Sequence, residues 1–191
     1  MVKPVWAADI EIDLARAANL IAGQFSDLRV ACIEPFGRGW DNAAYLVNGS
    51  LVFRFPRRRI AVRLIEREVA LLPLIAPHLP AQITAPRYIG SAGAEFPWPF
   101  AGYPRIPGVT ACSLDLRDEQ RGALAQPLAR FLRALHAIDP AALVAAGLPP
   151  DEIGRLDHAK RMRLVHERAP SVAGSGVAGL PDVLNFVPTH P

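Results

Sequence analysis

The chain has 191 residues, 51% of them hydrophobic and 20% charged, with a formal net charge of +3. That balance suits a folded globular protein, one domain or a small domain with part of a second, and excludes an intrinsically disordered chain. No apolar run approaches the roughly 20 residues that span a bilayer, Asp9, Glu11 and Asp13 stand where a signal peptide needs an apolar centre, and Cys32 and Cys112 form neither a metal-binding spacing nor a disulfide framework. A cytoplasmic protein with reduced thiols is expected.

In chain order, Ile10, Leu14, Ala17 and Ile21 recur at helical spacing behind Asp9, which predicts an amphipathic helix over 9–23 capped by Asp9. Val30-Ala31-Cys32-Ile33 reads as a strand, and Gly37-Arg38-Gly39-Trp40-Asp41-Asn42 as a turn-rich loop. Tyr45-Leu46-Val47 and Leu51-Val52-Phe53-Arg54-Phe55 are strands joined by Asn48-Gly49, the pair that supplies the positive φ angles of a type I′ hairpin turn. A helix runs from Ile60 through Glu68 to about Leu72, where Pro73 kinks or ends it. Arg87-Tyr88-Ile89-Gly90 is a further strand. The prolines of Pro97-Trp98-Pro99-Phe100-Ala101-Gly102-Tyr103 favour an edge strand leading into the connector Pro104-Arg105-Ile106-Pro107-Gly108.

Asp118 and Glu119 then open a long helix to about Ile138, with Leu124, Leu128, Phe131, Leu132 and Leu135 as its apolar stripe and a kink at Pro127. Residues 151–169 read as another helix, Ser171 to Gly179 as aperiodic Gly/Ser/Ala/Val material, and the last twelve residues as no clear element. Strands crowd before the connector and helices after it. The expected fold is α+β, with a five-stranded antiparallel sheet as the first lobe.

The glycines of Gly37-x-Gly39-x-x-Asn42 lie between two strands, whereas a dinucleotide fold places a helix after its glycine loop. Strand, glycine loop and strand is the form of the lid that covers nucleotide phosphates in protein kinases. Such a lid continues to a strand carrying an inward base, here Arg54, and then to a helix whose acid pairs with that base, here Glu68. The carboxylate fixes the direction of the base before nucleotide arrives, and arginine offers a planar fork that can hold carboxylate and phosphate together. An ordinary surface arginine and a solvated glutamate are the alternative.

Six arginines fall between Arg54 and Arg67: Arg54, Arg57, Arg58, Arg59, Arg63 and Arg67. The cluster reads as a solvated basic helix start or as phosphate attraction by some members. A nucleic-acid patch is disfavoured, because interleaved aromatics and any nucleic-acid motif are missing.

Taken together, Gly39-Trp40-Asp41-Asn42, Leu51-Val52-Phe53-Arg54-Phe55-Pro56-Arg57 and Arg67-Glu68 resemble the phosphotransferase family of aminoglycoside and macrolide kinases. Phe96-Pro97-Trp98-Pro99-Phe100 and Ile106-Pro107-Gly108 are similar to its lobe-connecting segment, and Phe131-Leu132-Arg133-Ala134-Leu135-His136 to its first large C-lobe helix. The resemblance spans roughly residues 6–140 and is specific as an ensemble. It implies a kinase-like fold that binds ATP or GTP with Mg2+ and phosphorylates a hydroxyl of a small molecule. Residues 1–103 would form the nucleotide-binding N-lobe, 104–117 the hinge, and 118–191 an incomplete helical C-lobe. Gly37, Gly39 and Asn42 would cover the triphosphate, Arg54 would clamp it, and Glu68 would orient Arg54. With Tyr103 at the back of the pocket, the carbonyl of Pro104 and the N–H and carbonyl of Ile106 would meet the purine edge.

The resemblance also implies a His-Gly-Asp-x-x-x-x-Asn motif and a later magnesium-binding Asp, and neither is found in this sequence. Asp157-His158 has the order reversed, Asp182-Val183-Leu184-Asn185 is too short in spacing, and Pro188-Thr189-His190-Pro191 falls about where the catalytic histidine is expected. The chain is therefore expected to lack the catalytic loop, to hold no catalytic or metal residue, and to be inactive as it stands. His136 reads as a packed helix-end histidine, no zinc spacing occurs, and Ser91 and Ser113 lack an elbow motif. The exposed helix stripe is expected to favour self-association. A non-catalytic module that binds nucleotide or protein is the alternative function.

Overall fold

The computed structural model describes Pro4, residues 7–151, Gly154 and residues 156–172. Met1–Pro149 forms one compact unit and Pro150–Pro191 another. In the first unit the strands β1 (Ile33–Arg38), β2 (Asn42–Val47), β3 (Leu51–Pro56), β4 (Tyr88–Gly90) and β5 (Phe100–Pro104) form one antiparallel sheet in the order β1-β2-β3-β5-β4. The five-stranded antiparallel sheet is the expected one.

Helix α1 (Leu14–Gln24) covers one face of the sheet. Side chains alternate along a strand, so Tyr45, Val47, Leu51, Phe53 and Phe55 point to that face and pack with Ala17, Leu20 and Ile21. Phe100 stacks on Phe55 with centroids 4.5 Å apart. Gly102 lies opposite Phe53 in the register, and a Cβ there would come within 2.5 Å of the Phe53 ring, so only glycine fits. Helix α2 (Arg59–Ile75) packs Ile65, Val69 and Leu72 against Ala101 and Tyr103 on the opposite face. That second face, half covered by a helix, carries the site.

Several expectations are corrected. Helix α1 starts at Leu14, and its cap is Asp13, whose carboxylate accepts from Arg16 N–H at 2.8 Å. Asp9 instead accepts from the backbone N–H of Arg59 at 2.9 Å, satisfying the first turn of α2 from fifty residues away. The expected strand over Val30–Ile33 begins only at Ile33, because the Asn48 side chain takes the N–H groups of Ala31 and Cys32. Gly37 and Arg38 belong to β1, which shortens the predicted loop to Gly39, Trp40 and Asp41. At the β2–β3 hairpin Asn48 and Gly49 take φ of 51° and 66°, as an Asn-Gly turn demands. Pro73 lies inside α2, which continues to Ile75 and a short 3-10 turn over Ala76–His78.

Strand β5 is central, not an edge. Pro97 and Pro99 precede it and Pro104 closes it, so no N–H is lost from its paired interior, and β4 takes the edge. Helix α3 (Asp118–His136) accommodates Pro127 and buries none of its residues, so His136 is exposed at its end rather than packed. A short helix α4 (Pro140–Ala145), capped by Asp139, was not foreseen. In the second unit the helix expected over 151–169 is α5 (His158–Val172), with the Asp157 carboxylate accepting from Lys160 N–H at 2.9 Å. Ser171 and Val172, expected to open an aperiodic stretch, end α5 instead, and the rest of that stretch and the last twelve residues lie outside the described residues. No described helix is long and apolar enough to cross a membrane.

Candidate functional site

Strand β3 presents Val52 and Arg54 on the face opposite the α1 core, alternating with the buried Leu51, Phe53 and Phe55. In the β3–β5 register Val52 lies opposite Tyr103 and Arg54 opposite Ala101. Helix α2 crosses the same face and brings Glu68 to Arg54, Nη1 to Oε2 at 2.6 Å. The Tyr103 hydroxyl donates to the same carboxylate oxygen at 3.0 Å, and the Arg54 guanidinium sits over the Tyr103 ring at 5.6 Å. Burial pushes the Tyr103 phenol well above its ordinary range, and the adjacent Glu68 charge adds to the shift. Tyr103 thus stays a neutral donor to the Glu68 carboxylate at every ordinary pH.

These groups form one wall of a cleft of about 230 Å³ lined by Phe36, Val52, Arg54, Thr84, Tyr103, Pro104, Arg105 and Ile106. Arg54 keeps further N–H donors after its bond to Glu68, so it can face an anion and its carboxylate partner at once. At the connector end the Thr84 hydroxyl donates to the Pro104 carbonyl at 2.8 Å, occupying one of that oxygen's two lone pairs. Among the described residues the Ile106 N–H has no backbone partner. No motif or periodicity marks Thr84, which sits in an aperiodic stretch between helix and strand.

The lid residues gather at the other end of the sheet. Gly37 lines a separate hollow with Leu14, Phe36, Arg38 and Tyr45. The Gly39 N–H donates to the Asn42 carbonyl at 2.9 Å, closing the loop into a tight turn. The Asn42 side-chain carbonyl is buried and has no hydrogen-bond partner. The structure brings Arg54, Pro104 and Ile106 to one cleft, with Glu68 bonded to Arg54, while Gly37, Gly39 and Asn42 do not line that cleft.

The arginine cluster divides. Arg57 binds Glu11 at 2.7 Å and also donates to the Gly39 carbonyl, and Arg58 binds Asp41 at 2.9 Å. Arg63 pairs with Glu66 at 3.5 Å on the surface of α2. Arg57 and Arg58 therefore tie the loop over Gly39–Asp41 to its surroundings through their carboxylate partners. Glu11 is held below the ordinary carboxyl value by the Arg57 hydrogen bond first, and then by the charges of Arg57 and Arg38.

Among the described residues no three His, Cys, Asp or Glu side chains converge as a metal would require, and Glu68 is engaged by Arg54 and Tyr103.

Residues 33–175 match the model of the phosphotransferase enzyme family. Among solved structures, the chain is similar to a mutant aminoglycoside 2'-phosphotransferase-IIIa in its GDP complex, at 28% identity and a TM-score of 0.77, over 94% of this chain and 60% of that one. It is similar to a GDP and kanamycin complex of an aminoglycoside phosphotransferase at 29% identity and a TM-score of 0.67, over 86% of this chain and 52% of that one. A macrolide 2'-phosphotransferase apoenzyme from Brachybacterium faecium shares the fold at 24% identity and a TM-score of 0.57, over 83% of this chain and 54% of that one. The chain thus spans 60% or less of the length of these structures. No curated protein matches it in sequence.

Proposed function

The chain belongs to the phosphotransferase enzyme family, and from that membership we propose that its first unit is the nucleotide-binding lobe of a small-molecule kinase, with the cleft beside Arg54 taking a purine nucleotide. The observation that carries this reading is the Arg54–Glu68 pair, fixed at 2.6 Å and steadied by Tyr103 at the wall of that cleft. Arg54 clamps the α and β phosphates, and Glu68 holds the guanidinium in place so that little ordering remains to be done on binding. Ile106 supplies the donor for the purine edge, and the Pro104 carbonyl its acceptor through the lone pair that Thr84 leaves open. Gly37, Gly39 and Asn42 form the lid over the phosphates, and the lid is stiffened from behind by Arg57 and Glu11.

Two relatives at 28% and 29% identity are GDP complexes, which supports a guanine or adenine nucleotide as the ligand class. The acceptor class is a hydroxyl of an aminoglycoside or macrolide. In the family, Mg2+ supplies charge neutralisation on the transferred phosphoryl group; no described residue is assigned to it and no step is derived through it. The protein works in the cytoplasm with the exposed thiols of Cys32 and Cys112 reduced. A non-catalytic module that binds nucleotide or protein is the second reading.

Calorimetric titration with GDP tests the proposal. Binding near the millimolar range, about −4 kcal/mol, is expected for wild type and no measurable heat for Arg54→Ala. Equal binding by the two proteins would remove Arg54 from the site.

A further inference from the structure

Arg57, Arg58 and Arg59 lead from the end of β3 into α2, and the segment Asp9–Ile12 crosses this junction like a strap. The N–H groups of Asp9 and Ile10 both donate to the Arg57 carbonyl, at 2.7 and 3.1 Å. The Asp9 carboxylate accepts from the Arg59 N–H at 2.9 Å and supplies the cap that the Arg58 side chain does not. Two residues on, the Glu11 carboxylate holds Arg57 at 2.7 Å and also binds Arg38. Arg57 in turn donates its backbone N–H to the Asp41 carbonyl at 2.7 Å and its Nη1 to the Gly39 carbonyl, so Glu11 orients the residue that holds the glycine loop. Ile12 anchors the strap: its side chain is buried, and its carbonyl accepts from the Tyr45 hydroxyl at 2.7 Å.

We infer that Asp9 and Glu11 are positioning residues, and that their strap fixes the glycine loop and the Glu68-bearing helix α2 as one body. This rests on the nucleotide reading of the cleft, in which the loop and the Arg54–Glu68 pair serve the same phosphates. Asp9 sets the first turn of α2, and Glu68 lies further along that helix. Glu11 sets the loop through Arg57. A single residue separates the two carboxylates, and its own N–H is bonded to Arg57, so a shift at one end of the strap is felt at the other. Arg58, bonded to Asp41 at 2.9 Å, adds a direct tie between the helix start and the loop.

Amide exchange by mass spectrometry on the full chain, with and without GDP, tests the inference. Glu11→Gln should speed exchange about fivefold or more over residues 37–42, from the loss of a charge-assisted hydrogen bond. It should also speed residues 59–68 of α2, which Glu11 does not hold directly. Asp9→Ala should speed α2 and, with it, the loop. Glu66→Gln, which takes a carboxylate from the surface of α2, should leave both segments at the wild-type rate. GDP on wild type should protect the strap over 9–12 together with the loop, because coupling between two sites is reciprocal. Acceleration confined to the segment each residue touches overturns the inference, as does acceleration by Glu66→Gln or an equal rise over α1 and β5. The Glu11→Gln arm decides alone if Asp9→Ala does not fold. GDP protection of the loop and β3 without the strap overturns the inference and leaves the nucleotide reading standing. Absence of GDP protection anywhere removes that reading and the role of the strap with it.

Discussion

Glu68 accepts from two donors on a single oxygen, and the two donors differ in kind. Arg54 brings charge, and Tyr103 brings a neutral hydroxyl that burial prevents from ionising. Removing the hydroxyl alone should loosen the carboxylate without taking away its charge partner. Tyr103→Phe is expected to lower stability by about 1.5–3 kcal/mol, the worth of a hydrogen bond to a charged group, read as a shift in urea midpoint at unchanged slope. Glu11 gives a pH-dependent prediction. Its folded pKa lies below the ordinary 4.5, so its contribution is fully present above that value and is lost as pH falls through the folded pKa. Glu11→Gln should be less stable than wild type near neutrality, and the two should converge as urea titrations move down from about pH 6 to about pH 3. A difference that persists at the acid end would mean that Glu11 does not act through its charge.

Among the elements, the β2–β3 hairpin is the one most tightly specified by local chemistry. Asn48 adopts positive φ and its side chain also accepts from Ala31 N–H at 3.0 Å and Cys32 N–H at 3.1 Å and donates to the Arg29 carbonyl at 2.8 Å. Asn48→Ala loses three hydrogen bonds and a tolerance for that backbone conformation, and is expected to cost about 2–4 kcal/mol. A thermal midpoint within a degree or so of wild type would contradict this. The turn was legible in the sequence because its demand on φ is local. So was the meeting of Arg54 with Glu68, since the order of strand and helix sets it. The position of β5 was not legible, because a central place depends on β4 returning to pair with it from the far side, and the prolines that suggested an edge stand outside the paired interior. Asp9 and Asp13 both precede the apolar periodicity of α1, and only the fold separates the residue that caps α1 from the one that caps α2.

At the scale of the whole molecule, α3 buries none of its residues. Leu124, Leu128 and Leu132 are 52%, 57% and 41% exposed, and each would contribute about 1.5–3 kcal/mol if fully buried. Against a total domain stability on the order of 5–15 kcal/mol, a helix without that burial opens more easily than the sheet. Hydrogen exchange on dilute protein should be faster over Asp118–His136 than over β2 and β3, and a slowing of α3 with rising concentration is expected if a second copy covers the stripe. Exchange over α3 as slow as over the strands, at dilution, would contradict its marginal packing.

The central claim is that a purine nucleotide occupies the cleft between β3 and the connector, with its phosphates at Arg54. Photocrosslinking with an azido-purine nucleotide, followed by peptide mass spectrometry, places the base directly. The adduct is predicted on the peptides that carry Phe36, Val52 or Tyr103–Ile106, and should be suppressed by excess GDP and by Arg54→Ala. A GDP-competed adduct confined to the outer surface of α2 around Arg63, or to α5, would contradict the account.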